Sequence, residues 1–274
     1  MTPPVAMTIA GSDSGGGAGI QADLRTFGAL GTFGTSVVTA VTAQSTVGVT
    51  DVHVVPTATV EAQLSAVLDD LPVAAVKTGM LATAELVGVV ADRAAEGALP
   101  HLVVDPVLVS ATGHRLLDED AIAVYQRRLL PHALVATPNL TEAGVLVGRE
   151  LQGLDDAWAA AQELVEAGAQ IVVVKGGHRR GPHAVDVVAG SGIDRELVAD
   201  RIDTGNTHGT GCTFAAACAA GLASGLEPLA ALEQAKRFVT MAIAGGAAWH
   251  LGSGHGPLDH LGFASGHRWD GPAS

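Results

Sequence analysis

Short, uninterrupted apolar segments recur along this chain, and they constrain its fold more than any other feature. Leu102–Val104 and Ile171–Val174 are runs of aliphatic residues with no polar residue between them. Because a strand with one solvated face alternates polar and apolar residues, such runs indicate strands covered on both faces of a parallel sheet. Helical patterns separate the runs, for example over 84–96 and 155–167. Repeated β–α units of this kind predict an α/β sandwich.

The same periodicities predict individual elements along the whole chain. The predicted strands cover 5–10, 36–41, 49–55, 73–77, 102–105, 134–137 and 171–175, followed by a hairpin over 184–189 and 196–199. The predicted helices cover 20–30, 60–71, 84–96, 118–130, 141–147, 155–167, 210–224 and 228–249. With no linker or internal repeat, the pattern predicts one domain over 1–274, of which 252–274 form a partly mobile tail rich in Gly, His and Pro.

Charge and composition exclude several classes of function. The 274-residue chain has a formal net charge of −13, so we expect neither a nucleic-acid nor an anionic membrane partner. No unbroken apolar run reaches about 18 residues and no signal peptide is apparent, which predicts no membrane span. Cys212 and Cys218 lie on one predicted helix without a disulfide pattern, so we expect a reducing, cytoplasmic location.

A glycine loop precedes the predicted helix that begins near residue 210. Gly209, Thr210 and Gly211 lead directly into Cys212. A helix N-terminus presents unpaired N–H groups and a positive dipole end, which together form an anion site. The same position stabilises a thiolate, so Cys212 is a candidate base. The alternative for Cys212 is a small buried apolar residue, the common role of a free cysteine.

Polar residues follow several predicted strands and should gather at one edge of the sheet. In an open α/β sheet the ligand lies beyond the carboxyl ends of the strands. Asp105, Asn139 and Glu142 would supply the oxygen atoms that Mg²⁺ prefers, although Asn139 and Glu142 could equally be a simple helix cap. Lys175 could meet phosphates or be a surface lysine, and Gln44 could read the edge of a planar ring.

Two further patterns carry little information. The glycine-rich segment 11–19 has neither P-loop nor dinucleotide-binding spacing, and by itself it is a strand-to-helix turn. The histidines of the C-terminal region match no standard metal-ligand spacing; they are His250, His255, His260 and His267.

Seven segments together resemble the hydroxymethylpyrimidine/phosphomethylpyrimidine kinases of thiamine biosynthesis, within the ribokinase-like superfamily. The matching segments are 10–23, 42–44, 77–81, 104–107, 137–143, 174–178 and 207–213. The resemblance implies a ribokinase-like three-layer α/β/α sandwich with a mostly parallel central sheet. It also implies ATP-dependent phosphorylation of 4-amino-5-hydroxymethyl-2-methylpyrimidine and of its monophosphate, with Mg²⁺, in a homodimer.

The resemblance assigns a role to each matching site residue. It implies a catalytic group consisting of Cys212 with Gly209, Thr210 and Gly211. It implies a pyrimidine pocket formed by Gly11, Asp23, Gln44, Met80 and Val107. It implies ATP contacts from Asn139, Lys175 and Thr207, and a metal held by Asp105 and Glu142.

Three alternatives remain open at the level of the sequence. A pyridoxal or pyridoxine kinase performs the same transfer on another small ring with a hydroxymethyl group. A non-catalytic nucleotide or thiamine-precursor sensor could keep the fold. A thiol hydrolase built on Cys212 would need an oriented histidine partner, for which His208 is the nearest in sequence.

Overall fold

Nine strands form one sheet in the computed structural model, which describes residues 2–108, 119–177 and 181–264. The strands are β1 (Val5–Asp13), β2 (Phe33–Gln44), β3 (Val49–Val54), β4 (Val73–Thr78), β5 (Val103–Val104), β6 (Val135–Ala136), β7 (Ile171–Val174), β8 (His183–Gly190) and β9 (Ile193–Asp200). Their order across the sheet is β3-β2-β1-β4-β5-β6-β7-β8-β9.

The centre of the sheet is parallel and its edges are antiparallel. Strands β2, β1, β4, β5, β6 and β7 run parallel to one another. Strand β3 pairs antiparallel with β2 at one edge, and β8 and β9 add an antiparallel hairpin at the other. The predicted parallel sheet and the predicted hairpin are both confirmed.

Eight α-helices connect or follow the strands in the described part of the chain. They are α1 (Gly19–Ala29), α2 (Thr57–Leu68), α3 (Ala84–Ala95), α4 (Glu119–Val124), α5 (Leu140–Val147), α6 (Leu154–Glu166), α7 (Thr210–Ala223) and α8 (Pro228–Gly246). After α4 the chain continues as a π-helical turn, Tyr125–Leu129, and a 3₁₀ turn, Leu130–His132. The helix predicted over 118–130 is therefore irregular in its second half, because Pro131 lacks an N–H and its ring clashes with a regular preceding turn.

Helices cover both faces of the sheet and create two apolar cores. Val103 packs in one core with Phe27 and Phe214 of α1 and α7, which α8 extends. The adjacent Val104 points to the opposite core, shared with α2, α3, α5 and α6. Successive residues of a strand face opposite sides, so a continuous apolar run supplies both cores. This is the three-layer α/β/α sandwich that the sequence predicts.

Strand β1 lies where the order of the sheet reverses. Its neighbours are β2 on one side and β4 on the other, and both are parallel to it. Connections leave the two sides in opposite directions, so a crevice opens beyond the carboxyl ends of these strands. The polar residues that end β1 and β4, Asp13 and Thr78, mark the position of this crevice.

The first part of the predicted tail is packed against the fold. Leu258, Asp259 and His260 are buried, and the Asp259 N–H donates to the carbonyl oxygen of Ala242 in α8 at 2.9 Å. Residues 265–274, which include His267, lie outside the described residues. Within the described ranges, no helix is both long and apolar enough to cross a membrane.

Candidate active site

A pocket of about 250 Å³ opens at the carboxyl ends of β1, β2 and β4, beside the start of α7. Most of the residues predicted for the site line it. They are Gly11, Gln44, Met80, Asp105, Val107, Asn139, Glu142, Lys175, Gly209, Thr210, Gly211 and Cys212. The topology therefore brings together residues from seven separate segments of the chain.

The glycine loop at the start of α7 has a conformation that requires glycine. Gly209 has φ = 87°, in the left-handed region, and a Cβ atom there would lie 1.9 Å from the carbonyl oxygen of Gly17. Helix α7 begins at Thr210, so the free N–H groups of its first turn face the pocket region. The Thr210 hydroxyl donates to the carbonyl oxygen of Thr207 at 2.7 Å and closes the loop. The arrangement is suited to a phosphoryl group.

Cys212 lines the pocket and is only partly buried, whereas Cys218 on the same helix is fully buried. The alternative role of a free cysteine, that of a small buried apolar residue, therefore applies to Cys218 and not to Cys212. The expectation of a thiolate near neutral pH is wrong for the resting site. Burial raises the pKa of the Cys212 thiol to about 11; Lys77 opposes this shift, and the carboxylates of Asp23 and Asp105 add to it. The helix N-terminus does not compensate for desolvation beside two carboxylates.

A fully buried ion pair lies beneath the pocket. Lys77 Nζ lies 3.0 and 2.9 Å from the two carboxylate oxygens of Asp23, and the Thr8 hydroxyl donates to Asp23 at 2.6 Å. Both charged side chains have 0% exposure. Burial alone would lower the pKa of Lys77, but the acidic groups around it, Asp23 foremost, together outweigh burial and raise the pKa, so the ammonium stays charged. Lys77 reaches the pocket wall, whereas Asp23 does not line the pocket, so the prediction that Asp23 contacts the pyrimidine is wrong.

Asp105 and Lys175 form a second ion pair at the pocket wall. Lys175 Nζ lies 2.8 Å from Asp105 Oδ1, which also accepts a 3.0 Å hydrogen bond from the Thr137 hydroxyl. The Lys175 side chain is 12% exposed, so the surface-lysine alternative is wrong. Burial opposes its charge, but Asp105 and Glu142 outweigh burial and raise the pKa of Lys175. A charged lysine beside the anion loop is suited to bind phosphate oxygens.

Asn139 and Glu142 cap helix α5 and also line the pocket. Asn139 Oδ1 accepts from the Glu142 N–H at 2.9 Å, and Glu142 Oε2 accepts from the Asn139 N–H at 2.8 Å. The helix-cap interpretation is thus confirmed without excluding a ligand role. Burial raises the pKa of Glu142 to about 7; Lys175 opposes the shift and Asp105 increases it. A carboxyl group poised at neutral pH is common in functional sites.

Four of the five pyrimidine-pocket candidates, all except Asp23, line the same pocket. Ser14 holds both backbone groups of Gln44, because its hydroxyl donates to the Gln44 carbonyl oxygen at 2.7 Å and accepts from the Gln44 N–H at 2.8 Å. Gly11 leaves space for Met80, whose methyl group would lie 2.6 Å from a Cβ atom at residue 11. Val107 lines the pocket too. An amide end above apolar walls suits a small planar ring.

Asp13 and His208 form a part of the site that sequence reasoning missed. Asp13 Oδ2 lies 2.9 Å from His208 Nε2, although 195 positions separate the two residues. The Asp13 carboxylate also accepts from the N–H groups of Gly15, Gly17 and Ala18. Burial works against the charge of Asp13, but the hydrogen bonds from His208 and the amides lower its pKa. The position of Asp13 at the end of β1 was the available sequence signal.

Three more contacts support the loops that line the site. Asp186 Oδ1 accepts from the Gly176 N–H at 2.9 Å, and Lys236 Nζ lies 2.8 Å from Asp186 Oδ2. The buried His260 Nε2 lies 2.8 Å from the Thr213 hydroxyl in the first turn of α7.

Thr207, a predicted ATP contact, is exposed and does not line the pocket. His178, in the segment 174–178, lies outside the described residues.

Comparison with known proteins identifies close relatives. A family model described as phosphomethylpyrimidine kinase matches residues 13–259. The hydroxymethylpyrimidine/phosphomethylpyrimidine kinase of Rhizobium meliloti is 48% identical over 97% of this chain and 98% of its own. The enzyme of that name from Synechococcus elongatus is 50% identical over 95% and 98%. A solved Staphylococcus aureus pyridoxal kinase in complex with AMP-PCP and pyridoxal has a TM-score of 0.87 and 37% identity, over 95% of this chain and 94% of that one.

Proposed function

Because this chain belongs to the phosphomethylpyrimidine kinase family, we propose that its pocket binds 4-amino-5-hydroxymethyl-2-methylpyrimidine and phosphorylates it with ATP. The monophosphate is then phosphorylated to the diphosphate that enters thiamine diphosphate biosynthesis. One observation carries this proposal. A ring-reading side chain, Gln44, and a phosphoryl-binding loop, Gly209–Gly211, line a single pocket with Cys212 beside the loop. The non-catalytic sensor is disfavoured because the phosphate-binding and candidate base positions are all present.

Different residues of the pocket have different roles in the proposed phosphoryl transfer. Catalysis of this transfer depends mainly on positioning and on charge stabilisation. Lys175 and the first-turn N–H groups of α7 would neutralise charge on the transferring group. Gln44 would orient the ring, and Cys212 would accept the hydroxyl proton in the first phosphorylation. Among the described residues, His208 contacts Asp13 and Gln44 through Nε2 and no hydrogen bond joins its ring to Cys212, so the histidine partner that a thiol hydrolase needs is not in place.

The donor set at the phosphate side of the pocket fits Mg²⁺. Asp105 and Glu142 both line it and supply carboxylate oxygens, with the amide of Asn139 beside them. In the described residues no cluster of three His, Cys, Asp or Glu side chains forms a closed metal cage. Mg²⁺ commonly uses one or two carboxylates, waters and substrate phosphates, so the open pair is the expected form of site. When bound there, the ion would neutralise charge on the ATP phosphates.

We predict that Mg²⁺ affinity depends on the ionisation of Glu142. Its pKa of about 7 means that the carboxyl group is largely protonated at pH 6 and ionised at pH 8. Since the metal binds the ionised form, affinity should rise through this interval, by up to about tenfold per pH unit below the pKa. Calorimetric Mg²⁺ titration of the AMP-PCP complex from pH 6 to 8 measures this. In Glu142→Gln the pH dependence should fall to that of Mg²⁺ binding to free AMP-PCP, whose terminal phosphonate also titrates near neutral pH. A pH dependence equal to that of the wild-type protein would show that Glu142 is not the titrating ligand.

A substrate panel tests the function itself. ATP consumption should be highest with the hydroxymethylpyrimidine and its monophosphate. Pyridoxal is a second candidate substrate, because the solved Staphylococcus aureus relative holds pyridoxal in the same fold. Comparable kcat/KM values for pyridoxal would indicate a dual enzyme, and turnover of pyridoxal alone would overturn the pyrimidine assignment.

We propose further that the chain is one domain, acts in the cytoplasm and forms a homodimer. Nine strands from residue 5 to residue 200 share one sheet, which supports a single folding unit. Edge strand β3 exposes all its residues, among them Val49, Val52 and Val54. Adjacent Val47 is 67% exposed and extends this apolar patch. A second copy of the chain would cover it.

A further inference from the structure

The side-chain amide of Gln44 lies between His208 and Thr42. Hydrogen bonding to these two neighbours determines whether its oxygen or its nitrogen faces each of them. Gln44 Nε2 lies 3.3 Å from His208 Nε2, and Gln44 Oε1 lies 3.2 Å from the Thr42 hydroxyl. A primary amide offers donors at one end and acceptor lone pairs at the other, and a half-turn about its last bond exchanges them. The neighbouring hydrogen atoms therefore decide which orientation is stable.

On one side, the neighbour of Gln44 is a donor. The Asp13 carboxylate is acceptor-only, and it lies 2.9 Å from His208 Nε2. That contact requires a hydrogen atom on Nε2, whether the imidazole is neutral or charged. A protonated Nε2 has no free lone pair, so an N–H of Gln44 facing it is mismatched. The amide oxygen, in contrast, could share the Nε2 hydrogen atom with Asp13 in a three-centre hydrogen bond.

On the other side, the neighbour of Gln44 is an acceptor. The Thr42 hydroxyl has one hydrogen atom, and it donates this atom to the Ser12 carbonyl oxygen at 2.9 Å. Thr42 is buried at 6% exposure, so water does not easily substitute for this bond. The Thr42 oxygen then has only lone pairs to offer, which match the NH₂ end of Gln44 and not its oxygen.

We propose that Thr42 and the Asp13–His208 pair act as positioning residues that hold the Gln44 amide with its oxygen toward His208 and its nitrogen toward Thr42. This specificity mechanism rests on the proposed pyrimidine kinase function. The orientation leaves one lone pair of Oε1 and one N–H of Nε2 for the ligand. They match a ring edge that carries an amino group next to an unprotonated ring nitrogen. The reversed edge, a carbonyl next to a ring N–H, is rejected.

The selectivity between the two ring edges depends on the fixed orientation of the Gln44 amide. The presence of an amide is not sufficient. A freely turning glutamine could pair with either edge, because each orientation complements one of them. Leaving buried hydrogen-bonding groups unmatched is costly, so a held amide should discriminate strongly between the two edges. Thr42 and His208 thus influence which ring binds, whereas Gln44 makes the contact.

Calorimetric binding of two ligands tests the mechanism: the 4-amino hydroxymethylpyrimidine and its 4-oxo analogue in the N3–H form. The wild-type protein should bind the amino compound about 100-fold more tightly, from two matched instead of two mismatched hydrogen bonds. Thr42→Val keeps the shape and removes the acceptor, so this ratio should fall about tenfold. Thr42→Ser keeps the hydroxyl and should restore the ratio to within about twofold of the wild type.

A second pair of variants tests the His208 side. Thr42→Val combined with His208→Leu should lower the ratio further than Thr42→Val, because neither end of the amide is then held. His208→Gln alone keeps a donor and should retain more selectivity than His208→Leu alone. An unchanged ratio in the double variant overturns the mechanism. Failure of the wild-type protein to consume ATP with the amino compound overturns the proposed function instead, since the ratio is measured by binding.

Discussion

Cys212→Ala should reduce kcat/KM for the hydroxymethylpyrimidine by about 10²–10⁴-fold, the usual contribution of a general base. The same substitution should reduce phosphorylation of the monophosphate by less than about tenfold. The two nucleophiles explain the difference. The first is a neutral hydroxyl group that must lose a proton, and the second is a phosphate oxygen that is already largely ionised.

The kcat/KM for phosphorylation of the hydroxymethylpyrimidine should depend on pH through the ionisation of the Cys212 thiol. With the pKa of Cys212 near 11, the base form is scarce at neutral pH and increases with pH. Because kcat/KM reports the free enzyme, it should rise by about tenfold per pH unit between pH 8 and 10, above the titration of Glu142. The monophosphate reaction should lack this slope. Steady-state rates with both substrates over this range measure the contrast.

Cys218 offers a matched control on the same helix. Its side chain is fully buried and does not line the pocket, so Cys218→Ala should leave both rates within about twofold of the wild type. Equal losses in the two reactions of Cys212→Ala would overturn the base assignment. The role of residue 212 would then be limited to its backbone N–H in the anion loop.

Lys77→Met should destabilise the protein by about 3–5 kcal/mol, the cost of leaving one member of a buried ion pair without its partner. Asp23 has no exposure, and its remaining side-chain contact would be the Thr8 hydroxyl. The measurement is the free energy of unfolding by urea at pH 7. Loss of the ammonium at the pocket wall should also reduce activity, but stability gives the more direct test.

A double variant separates pairing from packing at this position. Lys77→Met with Asp23→Leu replaces both charges by apolar groups and should recover most of the lost stability. The exposed pair Arg149 and Glu163, with N–O distances of 2.7 Å, is the matched control. Arg149→Met should cost far less stability than Lys77→Met, because solvent screens this exposed pair. A Lys77→Met cost as small as that of the control would show that the buried charges are not coupled in the folded protein.

Much of the fold followed from local patterns. The apolar runs that end at Val104 and Val174 predicted buried parallel strands, and the structure places both between two helical layers. Strand ends were predicted less well. Strands β5 and β6 contain two residues each, shorter than the predicted 102–105 and 134–137, although the N–H groups of Asp105 and Thr137 still donate to the neighbouring strands. The irregular turns after α4 were not predicted, because the sequence pattern over 118–130 is typical of one continuous helix.

The site was predicted as a set of positions but not as a set of contacts. The strand-end rule located Asp105, Lys175 and Gln44 in one pocket, because parallel strands all end at the same edge. It could not choose the partners of those residues. Lys77 and Asp23 are 54 positions apart, and neither position signals the other in the sequence.

The sequence by itself determined the order of the β–α units, the glycine loop before Cys212 and the family resemblance, since all three are encoded in short segments. The tertiary structure decided that Asp23 holds Lys77 beneath the pocket, that His208 joins Asp13, and that the Cys212 thiol is protonated at rest. The physical reason is that ion pairing and pKa depend on distances through space and on burial. Both are set by how distant segments pack, and no local pattern contains them.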